Sequence, residues 1–139
     1  MTEAETAIAA VMAKHPTLTA QGFERPGSED FDSHRADLLH PNGVAYFENA
    51  RAWLSVVPAR AAPNQECDSY LLKHVVEHWC GTYVSNGALI AAALHLGLAV
   101  RQCPSFINAW IGVAGRRQWP THGKDGTRVP FPYAVRERA

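Results

Sequence analysis

The sequence lacks the long apolar run and the basic leader that mark membrane-spanning and exported proteins. Its longest apolar stretch, residues 88–100, is shorter than the about 20 residues that a spanning helix needs, and His95 and Gly97 interrupt it. The first residues are acidic rather than basic, and no apolar segment follows them. The cysteines number only three, an odd count that favours free thiols over a disulfide framework. These absences predict a cytoplasmic protein without membrane contact.

An excess of one charge sign is also missing, since Lys+Arg and Asp+Glu each total 13. This balance argues against a protein whose main role is to coat DNA and against an acidic mimic of nucleic acid. The charges are nonetheless segregated along the chain. Residues 1–33 hold six acidic and two basic residues, whereas residues 115–139 hold six basic and two acidic residues. A basic surface near the C-terminal end is therefore compatible with the neutral total.

The composition that is present is that of one globular domain. The chain has 139 residues, of which 47% are hydrophobic and 19% are charged. A chain of this length buries roughly 68–70% of its unfolded surface, which is enough for a core without disulfides or structural metal. We therefore expect a single domain over residues 1–139.

The first part of the chain shows two helical patterns separated by an irregular segment. Apolar residues at helical spacing predict a helix over residues 6–14, which His15-Pro16 would end. Residues 21–43 are rich in Gly, Pro and acidic residues and predict an irregular surface connection. A second helix is expected over residues 44–54, followed by a short linker over residues 58–63.

The most regular pattern begins at Asp68. Over residues 69–80, an apolar face lies opposite a polar face, which is typical of a helix packed on a core. The predicted apolar face consists of Leu72, Val75, Val76 and Trp79. The opposite, polar face consists of Tyr70, Lys73, His74, Glu77 and His78. Asp68 is suited to cap the start of this helix, and Gly81 is suited to end it. Ser85 is suited to cap a second helix over residues 86–96, which is apolar nearly all round and should be the buried centre of the fold.

These patterns predict an α+β fold: a mainly helical single domain of about four helices with a central helical hairpin. The two helices of the hairpin are expected over about residues 68–80 and 86–96. Two short strands within about 98–113 are expected to form a small β-hairpin. Residues 115–139 are expected to form a basic tail that is extended or partly ordered.

The letters HVVEH in the first hairpin helix match the H-x-x-E-H pattern of zinc hydrolases. His74 and His78, one turn apart, could share one zinc ion, with Glu77 as general base for a bound water. Such a site needs a third protein ligand, and the only acids after His78 are Asp125 and Glu137. The alternative is a solvated helix face, so no catalytic residue, metal or cofactor is assigned.

Basic and aromatic residues alternate in the C-terminal segment. Cationic groups contact phosphates and aromatic rings stack on bases, so this mixture is typical of single-strand or RNA binding. The candidate nucleic-acid residues are Arg116, Arg117, Trp119, Lys124 and Arg128. A structural tail with a few anchoring aromatics is the alternative. A helix–turn–helix is not favoured, because the second hairpin helix offers only Asn86 and His95 to a DNA groove.

Two motifs carry a resemblance to a group of proteins. Residues 69–77 read SYxLKHxxE, and residues 81–93 read GxYVSNGAxIxAA. On these motifs the chain resembles uncharacterised short proteins of bacteriophages, plasmids and integrated elements. The recurring polar residues of that group correspond to Tyr70, Lys73, His74 and Glu77. His78 lies outside the pattern. The resemblance implies a mobile-element origin and does not imply an activity.

The polar residues of the first hairpin helix form a stripe opposite its apolar face. Tyr70, His74 and Glu77 follow one another at positions i, i+4 and i+7. The stripe either faces water as a binding site or joins a polar network that fixes the hairpin. The candidate network or binding residues are Tyr70, Lys73, His74, Glu77, Ser85, Asn86 and Asn108.

Three hypotheses about function follow. The first is a small accessory or regulatory protein of a mobile element that binds a protein partner, from host defence or host machinery. The second is a nucleic-acid-binding factor that uses the basic C-terminal segment. The third is a zinc-dependent hydrolase at the H-x-x-E-H motif. A non-enzymatic role without a cofactor is favoured, and the sequence does not determine the oligomeric state.

Overall fold

The computed structural model describes residues 1–104 and 106–129, and it shows five helices and five strands within those ranges. The helices are α1 Glu3–Lys14, α2 Phe31–Asp37, α3 Pro41–Val56, α4 Ser69–Cys80 and α5 Asn86–His95. The strands are β1 Leu18–Thr19, β2 Gly22–Phe23, β3 Ala59–Asp68, β4 Val100–Gln102 and β5 Ala109–Val113. A 3-10 turn, Arg116–Gln118, follows β5. The predicted α+β fold with more helix than strand is confirmed.

The predicted helical hairpin is present as α4 and α5, with its caps at the predicted residues. The Asp68 carboxylate accepts a hydrogen bond from the Leu71 N–H (2.8 Å) at the start of α4. Gly81, at a φ of 83°, ends the helix in the left-handed conformation. The Ser85 hydroxyl accepts a hydrogen bond from the Ala88 N–H (3.2 Å) and starts α5. Local side-chain chemistry therefore determines where both helices begin.

Helix α5 is the centre of the core, as its apolar composition predicted. Residues 88–93 are all fully buried, and α1, α3 and α4 pack around them. Leu94 is half-buried. The alanines of α5 allow the neighbouring backbones to approach closely. Among the described residues no helix, α5 included, has both the length and the apolar character needed to cross a bilayer.

The sheet that contains the predicted β-hairpin has three strands rather than two, and β1 and β2 form a separate two-stranded sheet. Strand β5 lies in the middle and pairs antiparallel with β3 on one side and β4 on the other. The prediction of a linker over residues 58–63 was wrong. Ala59 pairs with Val113, and strand β3, which begins at Ala59, continues to Asp68. Strand β3 contains few strand-forming residues and has two register irregularities. Pairing with β5, rather than local preference, therefore places it.

The segment 21–43, predicted to be irregular, contains regular elements. Strand β2 pairs antiparallel with β1, α2 follows it, and α3 begins three residues before its predicted start. Helix α2 has no buried residue, so no apolar periodicity marks it in the sequence. The Arg35 guanidinium of α2 donates to the carbonyl oxygens of Met12 (3.2 Å), His15 (3.1 Å) and Leu18 (2.8 Å). These bonds hold α2 against the end of α1.

Residues 115–129 of the predicted basic tail fold back onto the helices. The Lys124 N–H donates to the carbonyl oxygen of Trp79 (2.8 Å), close to the end of α4. The Val129 N–H donates to the Thr121 carbonyl oxygen (2.9 Å), and the Val129 side chain is buried. The rest of the predicted basic tail, residues 130–139, lies outside the described residues.

Candidate functional site

The polar side of α4 is organised around an ion pair between buried Lys73 and part-buried Glu77. The Lys73 ammonium lies 2.9 Å from a carboxylate oxygen of Glu77, one turn further along. Lys73 is only 6% exposed, so this member of the predicted polar face is buried rather than solvated. Its ammonium lies 4.5 Å from the ring centroid of Tyr83, in the loop after α4, and 5.8 Å from that of Tyr70. Both distances fall in the cation–π range, so these rings shield the charge.

Glu77 is the acceptor on which this cluster converges. One carboxylate oxygen accepts hydrogen bonds from the Lys73 ammonium and the Val84 N–H (3.1 Å), and the other lies 2.9 Å from His74 Nδ1. Burial alone would raise the pKa of the Glu77 carboxyl, but Lys73, the Val84 N–H and His74 together hold it below its ordinary value. The bond from Val84 also ties the loop over residues 81–84 to α4.

The lowered pKa of Glu77 makes part of the stability dependent on pH. This part is fully present above the ordinary carboxyl pKa and is lost as the pH falls through the lower pKa of the folded state. We expect the difference in unfolding free energy between the natural chain and Glu77→Gln to shrink as the pH falls from about 7 to about 3. Urea unfolding at a series of pH values measures this difference. Other carboxyls are common to both chains and cancel, so a difference that stays constant or grows at low pH would contradict the assignment.

The rings of Tyr70 and Tyr83 lie against the Lys73 ammonium. Together with Tyr46 and His74, which contact these rings, they form what we term the tyrosine face. Tyr70 is 55% exposed and Tyr83 is 57% exposed. The rings of Tyr46 and Tyr83 meet edge to face with their centroids 5.1 Å apart, and Tyr70 meets His74 in the same way at 4.6 Å. The face thus consists of two edge-to-face pairs of rings beside the buried Lys73 ammonium.

Asn86 and Asn108 form a separate polar contact. The Asn86 side-chain amide donates to Oδ1 of Asn108 (3.0 Å) and to the carbonyl oxygen of Gln21 (2.9 Å). It thereby ties the start of α5 to the β1–β2 turn and to the segment before β5. Within residues 1–104 and 106–129, no hydrogen bond joins this contact to the Lys73–Glu77 pair. The predicted polar residues therefore divide into two groups, of which the Asn86 group is structural.

The geometry does not favour a zinc hydrolase at the H-x-x-E-H motif. The Glu77 carboxylate already accepts from an ammonium and a backbone N–H, so it is not placed to take a proton from a bound water. His74 is directed at Glu77, and His78 is exposed. The Asp125 carboxylate accepts hydrogen bonds within its own turn. In the described part of the chain, no group of three or more His, Cys, Asp or Glu side chains could hold a metal ion. Glu137 lies outside the described residues.

Trp119 does not present its ring for the base stacking that was predicted. The residue is buried, and its indole N–H donates to the carbonyl oxygen of Ala114 (2.8 Å). Its ring meets that of Trp53 edge to face, with the centroids 5.7 Å apart. Trp119 therefore anchors the segment after β5 to the core.

The basic residues of the C-terminal segment lie around two hollows. Lys124 and Arg128 lie beside the end of α4, where the Lys124 ammonium donates to a side-chain amide oxygen of α3 (2.8 Å). Arg116 and Arg117 line the other hollow together with Arg60 of β3. Sequence reasoning missed Arg60, because the strand that carries it was itself not predicted.

Comparisons with protein-family models, curated proteins and solved structures give no match for this chain. Its function is therefore argued from the chemistry of its own residues. The resemblance of its two motifs to those of bacteriophage and plasmid proteins stays a prediction.

Proposed function

We propose that this chain is a small accessory or regulatory protein of a mobile element that binds a protein partner in the cytoplasm, from host defence or host machinery. The observation that supports this most is the exposure of Tyr70 and Tyr83, each more than half exposed while the Lys73 ammonium between them is buried. The motif resemblance supports the mobile-element origin.

Tyrosine side chains are well suited to this role. They offer a large contact area that is apolar on the ring and polar at the hydroxyl, with few rotatable bonds, and they are enriched among residues that dominate binding energy. The Tyr46–Tyr83 and Tyr70–His74 contacts restrict the rings before a partner arrives. This restriction lowers the entropy lost on binding.

The largely buried Lys73–Glu77 ion pair supports the same interpretation. Replacing such a pair by apolar residues of similar size is often neutral or stabilising, so a buried Lys–Glu pair is weak evidence for a stability role. The pair instead gives position: the Lys73 ammonium lies under the Tyr83 ring, and the Glu77 carboxylate holds the Val84 N–H. We infer that the ion pair positions the tyrosine face.

Tyr83 lines two surface hollows. One, of about 290 Å³, extends toward the start of α3 and is lined by His40 and Ser85 among others. The other, of about 500 Å³, extends toward the end of α4 and is lined by His78 and Thr82 among others. A partner could place one side chain in each hollow while its surface rests on the Tyr83 ring, so that the surrounding contacts exclude water from the ring.

Affinity capture from a host lysate with matched variants tests this proposal. The Tyr70→Ala/Tyr83→Ala double variant removes both exposed rings and leaves the ion pair in place. We expect it to retain at most about one tenth of the partner that the natural chain captures as a stoichiometric complex. Val56→Ala is the matched control, because Val56 is 58% exposed at the end of α3 and lies outside the tyrosine face. It should capture as much partner as the natural chain.

Two results would contradict the proposal. One is equal capture by the natural chain and the double variant, and the other is the failure of the natural chain to form any stoichiometric complex. Urea unfolding of the double variant distinguishes lost binding from lost folding. Loss of the two rings also removes their cation–π contacts with the Lys73 ammonium, so we expect a loss of about 1–3 kcal/mol with the cooperative transition retained.

A further inference from the structure

Three arginines line one open hollow of about 560 Å³ beside β3, α4 and the 3-10 turn, which we term the arginine groove. Arg60 comes from β3, and Arg116 and Arg117 come from the turn. Glu66 is the one acidic residue in the lining, and Leu71 forms part of the apolar wall. Within the described residues, none of the three guanidinium groups has a carboxylate at salt-bridge distance.

The backbone that carries these arginines is firmly held. Strand β3 pairs with β5, and the Ala114 N–H donates to the carbonyl oxygen of Pro58 (2.9 Å), which places Arg60 beside the 3-10 turn. The indole N–H of Trp119 donates to the Ala114 carbonyl oxygen (2.8 Å), and the Trp119 ring is buried just after the turn. Only the side chains of the arginines therefore lose freedom when an anion binds.

The three arginines outnumber the one carboxylate in the lining, Glu66, so their like charges repel one another and leave a positive potential in the hollow. An anion bound in the hollow relieves this repulsion. The guanidinium group is planar, weakly hydrated and forked, so it pairs with two oxygens of a phosphate at once. The volume lies within the range of small-molecule and cofactor sites.

We propose that the arginine groove binds a phosphate ester through Arg60, Arg116 and Arg117. The phosphate comes either from a free nucleotide or from the backbone of a single-stranded nucleic acid, and both sources offer the same chemistry to the guanidinium groups. This site is separate from the tyrosine face, so its test does not depend on the protein partner.

Binding measurements on the full chain at about 50 mM salt test this site. The probes are inorganic phosphate and adenosine monophosphate, followed by calorimetry, and a fluorescein-labelled oligothymidylate of about 12 nucleotides, followed by anisotropy. We expect Arg60→Ala to weaken binding about tenfold and Arg116→Ala/Arg117→Ala to weaken it further. Arg116→Lys/Arg117→Lys should bind with intermediate affinity, because lysine keeps the positive charge but cannot donate two parallel hydrogen bonds to one phosphate.

The matched control is Arg101→Ala, because Arg101 is exposed on β4 and does not line the groove. Its affinity should equal that of the natural chain. Much tighter binding of the oligonucleotide than of the mononucleotide assigns the phosphate to a nucleic acid, and equal affinities assign it to a free nucleotide. The proposal is overturned if none of the three probes binds, or if Arg101→Ala weakens binding as much as Arg60→Ala.

Discussion

Replacing Glu77 by alanine is expected to destabilise the fold by about 3 kcal/mol. The substitution leaves the Lys73 ammonium, which is 6% exposed, without its counterion. It also removes the acceptor of the Val84 N–H, so the loop over residues 81–84 loses its bond to α4. Urea unfolding near neutral pH measures the change in free energy.

The double variant Lys73→Met/Glu77→Gln is the matched control for Glu77→Ala. It removes the buried charge, keeps a side chain of similar length at residue 73, and retains an amide oxygen that can accept from the Val84 N–H. We expect this double variant to be more stable than Glu77→Ala by about 2 kcal/mol. If it is equally or less stable, the unpaired ammonium is not the source of the loss.

Replacing Gly87 by alanine is the second substitution with a large expected effect. An added Cβ would lie 1.7 Å from the backbone carbonyl oxygen of Thr19 and 2.8 Å from the carbonyl carbon of Ala20. These are backbone atoms, and the Gly87 N–H also donates to the Ala20 carbonyl oxygen (2.9 Å). The start of α5 would have to separate from β1, so we expect a loss of about 3 kcal/mol or failure to fold.

Gly115→Ala is the matched control for Gly87→Ala, because a Cβ at Gly115 would meet nothing within 4 Å. This substitution should change the unfolding free energy by about 0.5 kcal/mol or less. A slight gain in stability is also consistent, because alanine lowers the conformational entropy of the unfolded chain. Urea unfolding of both variants measures the two effects. Equal stabilities of the two variants would show that α5 does not pack against β1 as described.

The features that could be predicted from the sequence are those that depend on near neighbours in the chain. Asp68, Gly81 and Ser85 act on residues within one turn, so the ends of α4 and the start of α5 could be predicted. Uniform apolar composition was enough to place α5 in the core. Strand β3 could not be predicted, because its pairing with β5 joins residues far apart in sequence.

The candidate site was predictable only in part, for the same physical reason. The spacing of Tyr70, His74 and Glu77 indicated a polar stripe on one side of α4. The burial of Lys73 could not be predicted, because it depends on the Tyr83 ring from the loop after the helix. The arginine groove brings β3 and the 3-10 turn together, so no local pattern could have joined Arg60 to the basic segment.

Site-specific photo-crosslinking in host cells tests the role of the tyrosine face most directly. The photoreactive residue p-benzoylphenylalanine, close in shape to tyrosine, would replace Tyr83 in one chain and the exposed Val56 in another. We expect position 83 to give one discrete adduct with a protein partner and position 56 to give none. An absence of adducts from position 83, or equal adducts from both positions, would contradict a binding role for the face.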